Sequence, residues 1–146
     1  MYPQIEINYP AILGAILANI VLGFLWYGPV FGKLWMKEMG FNPDMKPGTR
    51  AMIQSMILMI IGAFFTAYVI SHSSAVWRPS VWSAGEDSPA WSYGFYAALF
   101  TWVGFYIPVL FNSVSWEQRT WKLFSINAAY HFINLQIVAF IVSYWR

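Results

Sequence analysis

The chain has no cysteine, which removes disulfides, thiolate metal ligands and a cysteine nucleophile together. Charge is nearly as scarce. Only 10% of residues are Asp, Glu, Lys or Arg, against about 25% in an ordinary globular domain. The net charge is +2, and the cations are divided among separate loops without forming a stripe, so nucleic acid is not an expected partner. The N-terminal stretch has no basic region and carries Glu6, and no small-residue cleavage site follows the first apolar run. That run is expected to be a retained span and not a signal peptide. A lipid anchor is not expected either, because the chain begins without Met-Gly and lacks an acceptor thiol.

What the chain does contain is long stretches free of charge. All charged side chains lie in five short clusters, and windows 7–32, 51–77, 88–116 and 123–145 contain none. Each window holds an apolar core near the ~20 residues a helix needs to cross a bilayer. A soluble domain of 146 residues would distribute charge over every element to keep its surface wet. The expected fold is therefore all-α integral membrane, one domain with four transmembrane helices at about 11–27, 51–70, 91–111 and 123–144. A short interfacial helix is expected after the first span. There Phe31, Leu34, Trp35 and Met39 share one face, and Lys33 and Lys37 share another. The segment 71–90, with Pro79, Gly85, Glu86, Asp87 and Pro89, reads as an outer loop flanked by tryptophan anchors, with Glu86-Asp87 a flexible acidic turn.

Loop charge gives an orientation. Lys33, Lys37, Lys46, Arg50, Arg119 and Lys122 fall on one side, and Arg78 and Arg146 on the other, which predicts both termini outside. Lys33, Lys37, Arg119 and Lys122 are the candidates for contact with lipid headgroups. Membrane lipids are thus expected partners, while the composition implies no cofactor and no metal site.

Helices in lipid associate through small residues and a few side-chain hydrogen bonds. The first span offers the row Ala11, Ala15, Asn19, Gly23. The second offers Gly62, Ala63, Thr66 and Ala67, and the third Gly94, Ala97, Thr101, Gly104 and Pro108. The fourth is polar on two sides. Asn127, His131 and Asn134 fall within roughly 60° of one another, with Ser125, Gln136 and Ser143 opposite. Such a helix is either the centre of the bundle or shared with an oligomer contact. The second is expected, since four helices hardly surround one of their own. Asn19, Thr101 and His131 lie near the middles of their spans, so Asn19, Thr101, Asn127, His131 and Asn134 form a candidate midplane cluster. Intramembrane ionisable groups are functional candidates by default. The plainer reading is that His131 is neutral and donates one structural hydrogen bond.

Two stretches also resemble a known family. They are Leu25-Trp26-Tyr27-Gly28-Pro29-Val30-Phe31-Gly32-Lys33-Leu34-Trp35-Met36 and Trp121-Lys122-Leu123-Phe124-Ser125-Ile126-Asn127-Ala128-Ala129-Tyr130-His131. Together they are similar to domain-of-unknown-function family 1761, small uncharacterised bacterial membrane proteins, over almost the whole chain. The resemblance implies a four-span protein of a bacterial inner membrane and no particular chemistry.

Three functions compete. The most testable is transport or binding of a small solute or proton through the midplane cluster of a homo-oligomer. The alternative is a non-catalytic scaffold or accessory subunit, which requires nothing the sequence lacks. The third is a lipid- or isoprenoid-modifying enzyme. It ranks last because His72, Glu117, Glu38 and Asp44 show no paired-carboxylate or metal-ligand spacing.

Overall fold

The computed structural model describes residues 2–145, and among them there are helices and turns but no strand. Four helical rods are long and apolar enough to cross a membrane: Tyr9–Val30, Thr49–Val76, Ala90–Ser115 and Trp121–Tyr144. The first comprises α1 (Tyr9–Leu25) and a π-turn at Trp26–Val30, and is followed by the short helix α2 (Gly32–Met39). The second rod is α3 (Thr49–Val76). The third is α4 (Ala90–Thr101), a second π-turn at Trp102–Tyr106 and α5 (Ile107–Ser115). The fourth is α6 (Trp121–Tyr144). In lipid the helix is the natural spanning form, because it satisfies its own backbone hydrogen bonds.

Local chemistry sets the helix ends. Asn8 caps α1 by accepting from the Ala11 N–H at 3.1 Å, with Pro10 in the first turn. Thr120 caps α6 in the same way through Leu123 N–H, also at 3.1 Å. The two π-turns coincide with prolines. Pro29 lies inside the first and Pro108 just beyond the second, each withholding an N–H from the helical ladder. The ladder re-forms one residue out of step: Phe31 N–H bonds to the Trp26 carbonyl at 2.8 Å, and Ile107 N–H to that of Trp102.

The second π-turn corrects the expected face of the third span. Gly94, Ala97 and Ala98 are buried, but Gly104 and Pro108 are exposed. The extra residue rotates the following turn by roughly 100°, so Trp102 and Tyr106 face the core instead. The outer loop is also shorter than expected. α3 continues through Ser71-His72-Ser73-Ser74 to Val76, with the Ser74 hydroxyl returning to the Ser71 carbonyl at 3.1 Å instead of competing for the helical ladder.

α6 is the most buried of the four rods. Half of its apolar window is buried inside the molecule, against 22% for the first rod, 17% for the second and 11% for the third. From Ile126 to Ser143 only Phe140 is exposed. The other three rods all pack against α6, while Ser125 near its start is exposed. Within the third rod α4, the π-turn and α5 all touch α6.

Candidate functional site

The interior has two contrasting seams, one closed and one open. The closed seam joins α1 to α6. Ile12, Ala15 and Ile16 share one buried cluster with Leu135, Val138, Ala139 and Val142, and Ala15 and Ala139 are fully buried. The expected row along α1 supplies this contact, since its small residues let the two backbones approach.

Near the middle of the closed seam Asn19 Nδ2 donates to Asn134 Oδ1 at 2.8 Å, and both residues are buried. Asn127 lies about two helical turns away along α6 and accepts from the Tyr27 hydroxyl at 2.9 Å. The Tyr130 ring, 4.9 Å from that of Tyr27, lies between the two pairs. His131 points elsewhere, with its ring 4.7 Å from Tyr106 and 5.2 Å from Tyr130. Of the five midplane candidates, the structure therefore joins Asn19 to Asn134, gives Asn127 a tyrosine partner and sets His131 among aromatic rings. Thr101 belongs to the other seam.

Two tryptophans tie the neighbouring rods to α6. Trp26 Nε1 donates to the Ile126 carbonyl at 3.2 Å, and Trp102 Nε1 to the Ala128 carbonyl at 2.8 Å. Each of these residues opens a π-turn, and each belongs to a Trp-x-Gly triplet. That shared triplet, Trp26-Tyr27-Gly28 and Trp102-Val103-Gly104, is the sequence signal for the pair.

The open seam lies between α3 and α4. A cavity of about 840 Å³ runs along it from Trp77, Ser88 and Trp91 to Phe100, Thr101 and Phe105. Its wall is aromatic, with Trp91, Tyr93, Tyr96, Phe100 and Phe105 on one side and Ser73 and Trp77 on the other. No charged residue lines it. A second cavity, of about 240 Å³, also touches Thr101 and is lined by Phe65, Thr66, Val69, Ile70 and Tyr106. The volume and the mostly apolar lining of the larger cavity fall within the range of small-molecule sites, roughly 300–1,000 Å³.

Arg78 closes the end of the bundle where α3 and α6 finish. It is 1% exposed, donates from Nη2 to the Ser143 carbonyl at 2.9 Å and lies 3.6 Å from Asp87. Its guanidinium also stacks 4.8 Å from the centre of the Tyr93 ring. A cation at the last carbonyls of α6 complements the helix dipole. Asp87 in turn accepts from the Ser80 N–H and hydroxyl, so the expected flexible acidic turn is a folded clamp.

Both seams lie within one region of family similarity. The chain belongs to the DUF1761 family. The family is described as being of unknown function, and its sequence model matches residues 10–143, from the first turn of α1 to the last turn of α6. Membership thus covers all four spans and brings no assigned chemistry. No curated protein and no solved structure matches the chain. At the opposite end of the bundle α2 rests on the start of α6. There Glu38 accepts from the Thr120 hydroxyl at 2.5 Å and lies 3.9 Å from Lys122. Lys33 and Lys37 are exposed on the outer side of α2, Lys122 is 63% exposed, and Arg119 is half-buried.

Proposed function

We propose that this multi-pass membrane protein binds a neutral amphiphile that enters sideways from the bilayer into the seam between α3 and α4. The supporting observation is the 840 Å³ aromatic cavity without a charged lining residue. Hydroxyl groups of Ser73, Ser88 and Ser92 sit with Trp77 and Trp91 toward its outer end, where a small polar head would rest at the membrane surface. Farther in, Phe100, Thr101 and Phe105 line a mostly apolar stretch of the cavity. An anionic head would lose its hydration there without gaining a cation. The closed seam supports a structural part for the midplane amides, because Asn19 and Asn134 already use each other.

The test is a photoreactive diacylglycerol added to the full chain in nanodiscs, with labelled sites mapped by mass spectrometry. Label concentrated on residues 91–105, and reduced several-fold by Ala97→Phe, is the expected result. Label spread evenly over the lipid-facing side of α3 would sink the proposal.

The orientation belongs to the same reading. Six cations at one end against Arg78 and Arg146 at the other favour a cytoplasmic α2 end in a bacterial inner membrane, with both termini outside. The cysteine-free chain suits the check. Ser83→Cys should react with an impermeant thiol reagent on intact cells, and Lys46→Cys only after the cells are broken open. The reverse pattern would overturn the orientation.

A further inference from the structure

We propose that the α2 end of the molecule is a binding surface for anionic phospholipid headgroups, distinct from the uncharged groove. The argument starts from how α2 is held. Trp35 turns inward, 5.4 Å from the Tyr27 ring and 5.5 Å from Phe41, while Lys33 and Lys37, one turn apart, face outward. Glu38 is engaged with Thr120 and Lys122, which fixes α2 across the start of α6 and leaves its two lysines directed away from the bundle. The same end carries Arg119, Lys122, Lys46 and Arg50, so six cations meet three carboxylates, Glu38, Asp44 and Glu117. Trp116 is 82% exposed and Trp121 62% exposed on the same loop and helix start.

Large aromatic rings and lysines exposed at one end of the bundle are what a headgroup layer accommodates. The rings sit at the edge of the hydrocarbon and the ammonium groups among the phosphates. The partner is assigned as anionic lipid because the rings need an apolar floor beside the charge, which a free phosphate does not offer. A basic side chain near an anionic surface gains roughly fivefold in binding at ordinary ionic strength, and the gain is lost in high salt.

The experiment is native mass spectrometry of the full chain in neutral detergent, titrated with phosphatidylglycerol or phosphatidylcholine. The expected result is preferential retention of phosphatidylglycerol. Lys33→Gln with Lys37→Gln should reduce that preference roughly tenfold or more, with unchanged thermal unfolding. Lys122→Gln offers a second variant should the α2 pair disturb folding. Equal retention of the two lipids by the native chain would overturn the proposal. So would a preference that survives all three substitutions, or one removed by millimolar inorganic phosphate, which would identify a phosphate site. Diacylglycerol labelling of the α3–α4 groove should be unaffected by the lysine variants, so the two readings fail separately.

Discussion

The end of α3 and the two residues that follow it show the difference between a packed and an open side within six residues. Ser74 and Arg78 lie on the closed side, 2% and 1% exposed. Ser73 and Trp77, one position earlier in each case, line the groove, where Trp77 is 76% exposed. Ser73 and Ser74 are neighbours on the last turn of α3, Trp77 caps that helix, and Arg78 follows it in extended backbone. On the packed side both residues meet a protein partner: Ser74 uses the Ser71 carbonyl, and Arg78 uses Ser143, Asp87 and Tyr93. The open side leaves a tryptophan and a hydroxyl facing a cavity. In a membrane this contrast separates a face that specifies the fold from one that remains available to a bilayer component.

Breaking the packed side should cost most. Arg78→Ala removes the cation from a clamp that holds the ends of α3, α4 and α6, leaving the α6 carbonyls and Asp87 without it. A loss of about 3–4 kcal/mol is expected in mixed-micelle unfolding. Trp77→Ala should be near neutral in the same assay. If the two variants lost equal stability, the division of this end of the bundle into a structural and an available side would be wrong. Next comes Gly94→Val, where α4 approaches α6. A Cβ built there would lie 2.8 Å from Ser143 Oγ and 2.9 Å from the Ala139 carbonyl oxygen. The backbone carbonyl cannot move aside, so a loss of about 2 kcal/mol or more is expected. Thermal unfolding against Gly62→Val, whose Cβ would meet nothing within 4 Å, provides the check.

The four spans were legible because a bilayer-length helix without charge has no face that water would wet. The α1 row was legible because α1 is a regular helix. Ala11, Ala15 and Asn19 are buried as their spacing implies. The second half of the third span was not legible, since regular periodicity cannot anticipate the residue a π-turn inserts at Trp102–Tyr106. Arg78 was hidden for a different reason. A cation in a loop reads as solvent-exposed, and its partner Ser143 lies 65 residues away. The lateral groove had no sequence signal, because its aromatics occupy positions that lipid-facing residues would occupy equally well. Within the midplane cluster, amide chemistry pointed to partners but did not reveal that Thr101 lies on another face.

The amide pair offers a smaller test. Asn134→Leu should cost about 1–2 kcal/mol, because it leaves the Asn19 amide buried without its partner. Adding Asn19→Leu should recover much of that loss, since the bond itself contributes only about 0.6 kcal/mol in membrane helices on average. A double variant as unstable as the sum of the two singles would mean that each amide serves some further contact.

The smallest effect should have the opposite sign. Gln136 lies on α6 against α4, with Nε2 donating to the Phe95 carbonyl at 3.5 Å, the long limit for such a bond. Its Oε1 is buried and has no hydrogen-bond partner among the described residues. A half-satisfied amide in the interior costs more than its single long bond returns. Gln136→Met keeps the length and flexibility of the side chain while removing both polar atoms. It should stabilise the chain by about 0.5–1 kcal/mol in mixed-micelle unfolding, with diacylglycerol labelling of the groove unchanged. A destabilised variant would show that Gln136 has a partner in the membrane, such as a bound water or the ligand itself. Because Gln136 reaches the α4 helix whose other face forms the groove, loss of labelling together with loss of stability would tie the α4–α6 contact to the groove.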